Sequence, residues 1–534
     1  MSDTAEGQKN PVICSVQNLE IQLNDEIREH LSAQYDDNTE STDKLELILA
    51  AMKRPPAFTT CRVNLIKATR KEVFDELQSI LSAYTQLKVQ EDPDFSDVIN
   101  IFPTDGVNKS KDGIFDASSL SALTGPIGHD EEDDQIQTAT SDNDDKFSKW
   151  PTRREQGWSM THRSIVCDRF CGEAVLRGSD IFVMGVMAAD ANIQAGEEVA
   201  VYADIPEKKP KEIMNRGMRL ERYRGKCVYL GLGRTECARN EIFKKTKGVA
   251  ITMSMAAKDR VGPPLPPFYG VLPDKMMLQN LPSILVGHAL NPKPHDVILD
   301  MCSAPGGKTS HLASLVRNEA VIVACDMSKK KVASEKDLFL RMGATCVTPL
   351  ALDATKCCHE NDTPNQEAKD VQRILRDAPV GKGGLKQIKK FYPESFDKIL
   401  LDPPCSALGL RPKLFVAQNS LKELQKHAEY QRKFVNQAVR LLKVGGYMTY
   451  STCTINADEN EGTVSHILKE YPSMELLPID LPLPWREKNL GLPGLDGFGL
   501  SDKERDCVCR FDPSSTGDTM GFFVALFQKR SSIE

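Results

Sequence analysis

The stretch Val297-Ile-Leu-Asp-Met-Cys-Ser-Ala-Pro-Gly-Gly-Lys-Thr309 decides how the rest of the chain is read. A short apolar run ends at Asp300, a turn of small residues holds Gly306 and Gly307, and Lys308 to Val316 takes on helical spacing. Strand, tight loop and helix start, in that order, let backbone N–H groups approach a ligand closely. Nucleotide-like cofactors settle at such junctions in doubly wound sheets. Cys302, Ser303, Ala304, Pro305, Gly306, Gly307 and Lys308 are therefore candidate cofactor-binding residues.

Further strands follow at the expected intervals. Val321-Ile-Val-Ala-Cys-Asp326 ends in an acid about 20 residues past the glycines, where a carboxylate would meet ribose hydroxyls. An adenosine-containing cofactor fits, and at this point NAD and S-adenosylmethionine are both open. Asp353 closes a third strand-like segment, and Phe396 to Leu401 gives a fourth that ends in Asp402-Pro403-Pro404-Cys405. Two prolines stop that strand and stiffen the chain over the cleft. Ser420 and Glu423 predict a capping box for an amphipathic helix carrying Leu424, Ala428, Phe434 and Ala438, with Gly445-Gly446 as its end. The Tyr447–Thr454 strand then delivers Cys453 beside Cys405.

Asp300-Met-Cys-Ser-Ala-Pro-Gly-Gly-Lys-Thr309, Asp402-Pro-Pro-Cys-Ser406 and Ser451-Thr-Cys-Thr454 resemble the three signature blocks of the Nop/Sun family of RNA cytosine-5 methyltransferases, over about the last half of the chain. Chemistry asks for the same residues. Carbon 5 of cytosine is too poor a nucleophile to take a sulfonium methyl unaided, so a thiolate must first add to carbon 6. An amine methyltransferase would carry an aromatic residue where Cys405 stands. Spacing does not say which thiol attacks, and Lys308 is a candidate source of the positive field a thiolate needs. The resemblance implies that Cys453 is the nucleophile, that Cys405 assists release, that Asp402 holds the cytosine edge, and that Lys308 orients them. It also implies S-adenosylmethionine as cofactor, held by the glycine loop, Asp326, Asp353 and Asp402.

The chain has 534 residues, 40% hydrophobic and 27% charged, with a net charge of −7, a globular composition. No signal peptide precedes Asn10 and no apolar run approaches the ~18 residues of a membrane span, so a cytoplasmic protein without membrane attachment is expected. Fifteen cysteines suggest reduced thiols; Cys357-Cys358-His359, Cys167 with Cys171, and Cys507 with Cys509 lack metal-ligand spacing, and no metal is expected.

Residues 1–100 read as a small α+β segment: Cys61, Val63 and Leu65 alternate, and Thr69 with Glu72 caps a helix bearing Val73, Leu77, Ile80, Leu81 and Tyr84. It is expected to pack against something later, and the resemblance implies that it completes the RNA-binding subdomain ahead of the catalytic core. Residues 101–160 read as a disordered acidic insert. Between 165 and 255, Glu173–Leu176, Glu198–Tyr202, Lys226–Leu230 and Gly248–Thr252 predict strands of a small β-barrel. Cys171-Gly-Glu-Ala-Val-Leu-Arg-Gly-Ser-Asp-Ile-Phe182 is similar to the opening of a PUA domain. Glu207 to Arg260 holds 15 Lys and Arg against 6 Asp and Glu, which makes Arg222, Arg224, Lys226, Arg234, Arg239, Lys244, Lys245 and Lys247 candidate RNA-binding residues.

The expected architecture is thus α/β: a Rossmann-like class I methyltransferase domain over 256–534, an inserted PUA barrel and an α+β N-terminal segment. A PUA domain ahead of a Nop/Sun core resembles the subfamily that modifies the acceptor end of tRNA near its 3′ CCA. The long acidic insert and a Lys-rich loop between Cys358 and Phe391 depart from that pattern. tRNA, or another structured RNA, is the expected partner of a monomeric enzyme. A catalytically silent RNA-binding protein and an amine methyltransferase are the rival readings. Arg510-Phe-Asp-Pro513 is expected on a substrate-facing loop before a last antiparallel strand, Gly521–Phe527.

Overall fold

The computed structural model describes residues 11–16, 18–35, 43–82, 87–103, 158–159, 161–206, 214–256, 271–360, 370–377, 384–416, 420–480, 485 and 490–532. The chain forms two compact units: residues 1–21, 105–267 and 412–415, and residues 22–104, 268–411 and 416–534.

The larger unit is built on a sheet whose order in space is Val347–Ala351, Val321–Asp326, Val297–Asp300, Phe396–Leu401, Leu442–Thr452, Phe522–Lys529 and Met474–Leu477. The first five strands run parallel, and Phe522–Lys529 is antiparallel to Leu442–Thr452. Their inward residues are apolar on both faces: Leu299, Val323, Ile399 and Leu401 on one side, Ile298, Ile322, Ala324 and Leu400 on the other. That pattern requires helices on both sides of the sheet. The strand order reverses between Val297–Asp300 and Phe396–Leu401, the switch point at which such sheets bind ligands.

The helix after the first strand, Gly307–Leu315, starts at Gly306, whose φ of 96° is left-handed. A Cβ there would lie 2.9 Å from Leu338 and 3.1 Å from Phe339, so glycine is needed for both conformation and space. This helix buries Thr309, Ser310, His311 and Ser314. Their partners come from the N-terminal segment and from Asp300: Arg62 donates to the Ser310 hydroxyl at 2.9 Å, Asp97 accepts from His311, and the Leu65 amide donates to Ser314. A four-stranded antiparallel sheet, ordered Met276–Leu278, Thr59–Val63, Val98–Pro103 and Leu87–Glu91, carries those groups.

The smaller unit is an eight-stranded sheet with Lys226–Thr235 paired to Glu198–Ile205 and Val249–Ala256. Trp158, Tyr202 and Tyr223 pack edge-on or tilted within it.

Several expectations are corrected. The N-terminal segment divides: Val12–Cys14 pairs with Lys226–Val228 in the smaller unit, whereas 22–104 belong to the larger one. Ile80 is 43% exposed, so the capped helix Arg70–Leu81 buries Val73, Leu77 and Leu81 without it; Tyr84 lies outside the described residues. The insert does not begin at 101, because Val98–Pro103 is a strand, and Trp158 is buried; residues 104–157 lie outside the described ones, as does much of the Lys-rich loop. Glu173–Leu176 is part of a helix, Arg169–Leu176, because Asp168 caps it by accepting from the Cys171 amide and Val175 and Leu176 turn inward together. Gly445-Gly446 does not end the long helix, which stops at Leu441; the glycines form an irregularity inside the strand that follows. Arg510 and Phe511 are not on a substrate-facing loop but in the strand Cys509–Phe511, buried, with Arg510 donating to the Ile455 carbonyl.

Candidate active site

Asp402 follows the Phe396–Leu401 strand and Cys453 follows Leu442–Thr452, so parallel pairing of these two strands sets their loops side by side. The sulfurs of Cys405 and Cys453 lie 3.4 Å apart. Lys308, in the first turn of its helix, donates to Asp402 Oδ2 at 2.6 Å, and the Ser451 hydroxyl donates to Oδ1 at 2.7 Å. All four expected catalytic residues therefore meet, and Ser451 joins them. Burial works against the Lys308 ammonium, but the charge and hydrogen bond of Asp402 outweigh it, with Cys453 and Asp300 adding, and Lys308 is held above its ordinary value. Cys405 is pushed well above the ordinary thiol value by its hydrogen bond to Cys453, by burial, and by negative charge at Cys453 and Glu459.

The chain around the thiols is held largely by residues outside the signature blocks. Glu459, fully buried, accepts from the Ser406 amide at 2.9 Å and from Gln431 at 2.9 Å through one oxygen, and from Asn456 at 3.0 Å through the other. Gln431 comes from the long helix and Tyr450 donates to the Glu459 carbonyl at 2.5 Å. The Ser406 and Thr454 hydroxyls pair at 2.7 Å. From the N-terminal helix Asp25–Tyr35, Gln34 donates to Asn456 and accepts from the Ala457 amide, both at 3.0 Å, and Tyr35 donates to the Ile455 carbonyl. Only the proximity of Glu459 and Asn456 to Cys453 in sequence hinted at this.

The cofactor loop is organised from below. Asp300 is buried and accepts from the Thr309 hydroxyl at 2.7 Å; burial pushes its carboxyl up to about 7. The Ser303 amide donates to the Cys325 carbonyl and the Gly306 amide to that of Ser303, closing the turn that contains Ala304 and Pro305. Asp326 accepts from the Ser328 amide through Oδ1 and has Lys331 3.9 Å from Oδ2, and Asp353 accepts from the Thr355 amide and hydroxyl through Oδ1. Two carboxylates at successive strand ends, above a loop too tight for any side chain at Gly306, suit an adenosine cofactor.

Asp97 receives His288 and His311, each through Nε2 at 2.9 Å, a grouping of metal-ligand chemistry absent from the sequence reading. Both contacts are ordinary N–H···O bonds, and the charge of nearby buried Arg62 already balances the carboxylate.

The candidate RNA residues separate into two kinds. Arg222, Arg234, Lys244, Lys245 and Lys247 are exposed, with Lys245 3.5 Å from Glu241. Arg239 instead donates to the carbonyls of Ala189, Gly217 and Met218, and Arg224 to those of Glu221 and Tyr223; Lys226 lies half-buried in its strand.

Residues 287–390 and 380–528 match the 16S rRNA methyltransferase RsmB/F family, and residues 163–254 match the PUA domain. The human tRNA (cytosine(72)-C(5))-methyltransferase NSUN6 is 31% identical over 92% of this chain and 93% of its own length. The chain belongs to the RNA cytosine-5 methyltransferase family. Within it, the rRNA (cytosine-C(5))-methyltransferase NOP2C of Arabidopsis thaliana is 31% identical over 95% of this chain and 90% of its own length. The crystal structure of NSun6 from Pyrococcus horikoshii with SFG superposes with a TM-score of 0.61 at 25% identity, covering 95% of this chain and 99% of that one. This RNA cytosine-5 methyltransferase uses S-adenosylmethionine, whose sulfonium supplies the methyl group. No helix among the described residues is long and apolar enough to cross a membrane.

Proposed function

We propose that the enzyme methylates carbon 5 of a cytosine in the tRNA acceptor stem near the 3′ CCA end. The observation that carries the chemistry is the contact of two thiols beside a Lys308–Asp402 pair. In this reading Cys453 attacks carbon 6, Asp402 and Ser451 face the base edge, and Cys405 takes part in release. The glycine loop, Asp326 and Asp353 hold the cofactor, and a stacked base is extruded to reach the thiols, which costs a few kcal/mol and favours a helix end. The PUA barrel and the NSUN6 relatives support a tRNA terminus. The Arabidopsis relative named for rRNA favours a ribosomal substrate instead.

Covalent trapping tests the mechanism. With unmodified tRNA and S-adenosylmethionine, Cys405→Ala is expected to leave a denaturant-stable protein–RNA adduct and Cys453→Ala none; the reverse pattern exchanges the roles, and normal methyl transfer by both variants would remove the covalent step. Removing CCA from the tRNA is expected to abolish methylation, whereas preference for an rRNA fragment would favour the second substrate. We place the enzyme in the cytoplasm as a monomer, to be checked by cell fractionation and light scattering.

A further inference from the structure

Two chemically identical thiols in contact must be told apart, since a pair that attacked at random would trap the base on the wrong sulfur. The surroundings of the pair differ. Cys453, Glu459 and Tyr450, each anionic when ionised, act on Cys405. Lys308, itself paired with Asp402, is a cation that acts on Cys453. To the hydrogen bond with Cys453 and burial, Glu459 adds a fixed anion on the Cys405 side. Its carboxylate is fully buried, and its three partners, the Ser406 amide, Gln431 Nε2 and Asn456 Nδ2, are all N–H donors. An oxygen pair surrounded by donors is satisfied as an anion, because a protonated oxygen would meet a donor head-on. One of those donors is the amide of the residue next to Cys405.

We propose that Glu459 is a positioning residue of the reaction: its buried carboxylate fixes the Cys405 loop against the Cys453 loop and keeps the proton of the thiol pair on Cys405, leaving Cys453 to attack. The anion disfavours a second negative charge on the sulfur beside it, and the Cys405 S–H then points its proton at the Cys453 sulfur 3.4 Å away. Lys308 supplies the matching positive field on the other side. The network reaches outward through Asn456 to Gln34, so the N-terminal helix braces the carboxylate that sorts the thiols.

This assignment rests on the covalent reading above, and its test does not need RNA. The whole protein is alkylated with iodoacetamide across a range of pH, and labelling of the Cys405 and Cys453 peptides is quantified by mass spectrometry. In the unmutated protein the midpoint for Cys405 is expected at higher pH than that for Cys453; the opposite order overturns the proposal with no variant required. In Glu459→Gln the Cys405 midpoint is expected to fall by about one pH unit, and Glu459→Asp, which keeps the charge, is expected to restore it most of the way. An unchanged profile in Glu459→Gln overturns the electrostatic role. So does an equal displacement in Glu459→Asp, which would mark a purely structural one. Circular dichroism establishes that the variants fold; if Glu459→Gln does not, the order of midpoints in the unmutated protein decides. Failure of the parent reading looks different, as absence of an adduct with Cys405→Ala whatever the alkylation profile.

Discussion

Lys308 is mostly buried and its nearest anionic partner is Asp402, so Lys308→Met leaves a carboxylate whose main hydrogen-bond donor is gone. An unsatisfied partner costs roughly 1–3 kcal/mol, and loss of a preorganised charge at a reacting centre costs about 10²–10³ in kcat. Lys308→Met is therefore expected to lower kcat by at least about 100-fold with a modest loss of stability, read by single-turnover methylation and urea unfolding; activity within a few-fold of the parent would remove Lys308 from the site's electrostatics. His311 carries the clearest pH dependence of stability. Burial, only partly offset by Asp97, lowers it from 6.5 to about 4, so the folded protein holds it neutral while the unfolded chain takes a proton. Its contribution is complete above about pH 6.5 and lost as pH falls towards 4, a change of roughly 3 kcal/mol from linkage. Asp97 is held well below the usual carboxylate range mainly by its two histidine hydrogen bonds, which overcome burial, so its share is lost only at still lower pH. The measurement is urea unfolding of the parent and of His311→Asn between those limits; a stability difference that does not shrink with falling pH would refute the account.

At the scale of elements, the two thiol loops are fixed by a close backbone approach. Gly409 donates to the Cys453 carbonyl and accepts from Gly521, and a Cβ at Gly409 would stand 2.0 Å from the Gly521 oxygen. Backbone cannot yield as a side-chain tip can. Gly409→Ala is expected to cost about 1–3 kcal/mol and to abolish methyl transfer while cofactor binding, which uses the other strand ends, persists; calorimetric titration with S-adenosylmethionine against an activity assay separates the two. The same contrast explains what the sequence made legible. Strand-turn-helix junctions are local, so the succession of the parallel strands along the chain, the glycine loop and the four residues that meet at the site could be read from short motifs. Glu459, Gln34 and Ser451 act across 28 to 423 positions of sequence, and nothing local to them announces a partner. Glu173–Leu176 suggests a strand in sequence because Ala174, Val175 and Leu176 suit either period, and the Asp168 cap of the helix lies outside that window. Arg239 and Arg224 counted towards a basic patch because charge is visible in sequence, whereas a guanidinium spent on backbone carbonyls is not.

For the whole molecule, the proposed function gives chemistry to one unit and RNA grip to the other, and their mutational signatures should then separate. The chain is acidic overall at −7, yet phosphate contact depends on local charge, and the exposed set Arg222, Arg234, Lys244, Lys245 and Lys247 lies within the PUA match. Each such residue that neutralises a phosphate releases counterions, which gives about 0.7 to 0.9 in the slope of log affinity against log salt, the lower value for single strands and the higher for B-form duplex. Replacing Arg234, Lys244 and Lys247 together by Ala is expected to weaken RNA binding, to flatten that slope by up to about 2–3, and to leave kcat at saturating RNA unchanged. Arg239→Ala should behave differently, lowering the melting temperature of the barrel because three carbonyls lose their donor, with little change in the salt slope. Filter binding at several salt concentrations, paired with thermal unfolding, distinguishes the two. Should the triple variant keep the parental slope, the RNA is gripped elsewhere; should it lose kcat instead of affinity, the barrel contributes to presenting the cytosine and the division of labour between the units does not hold.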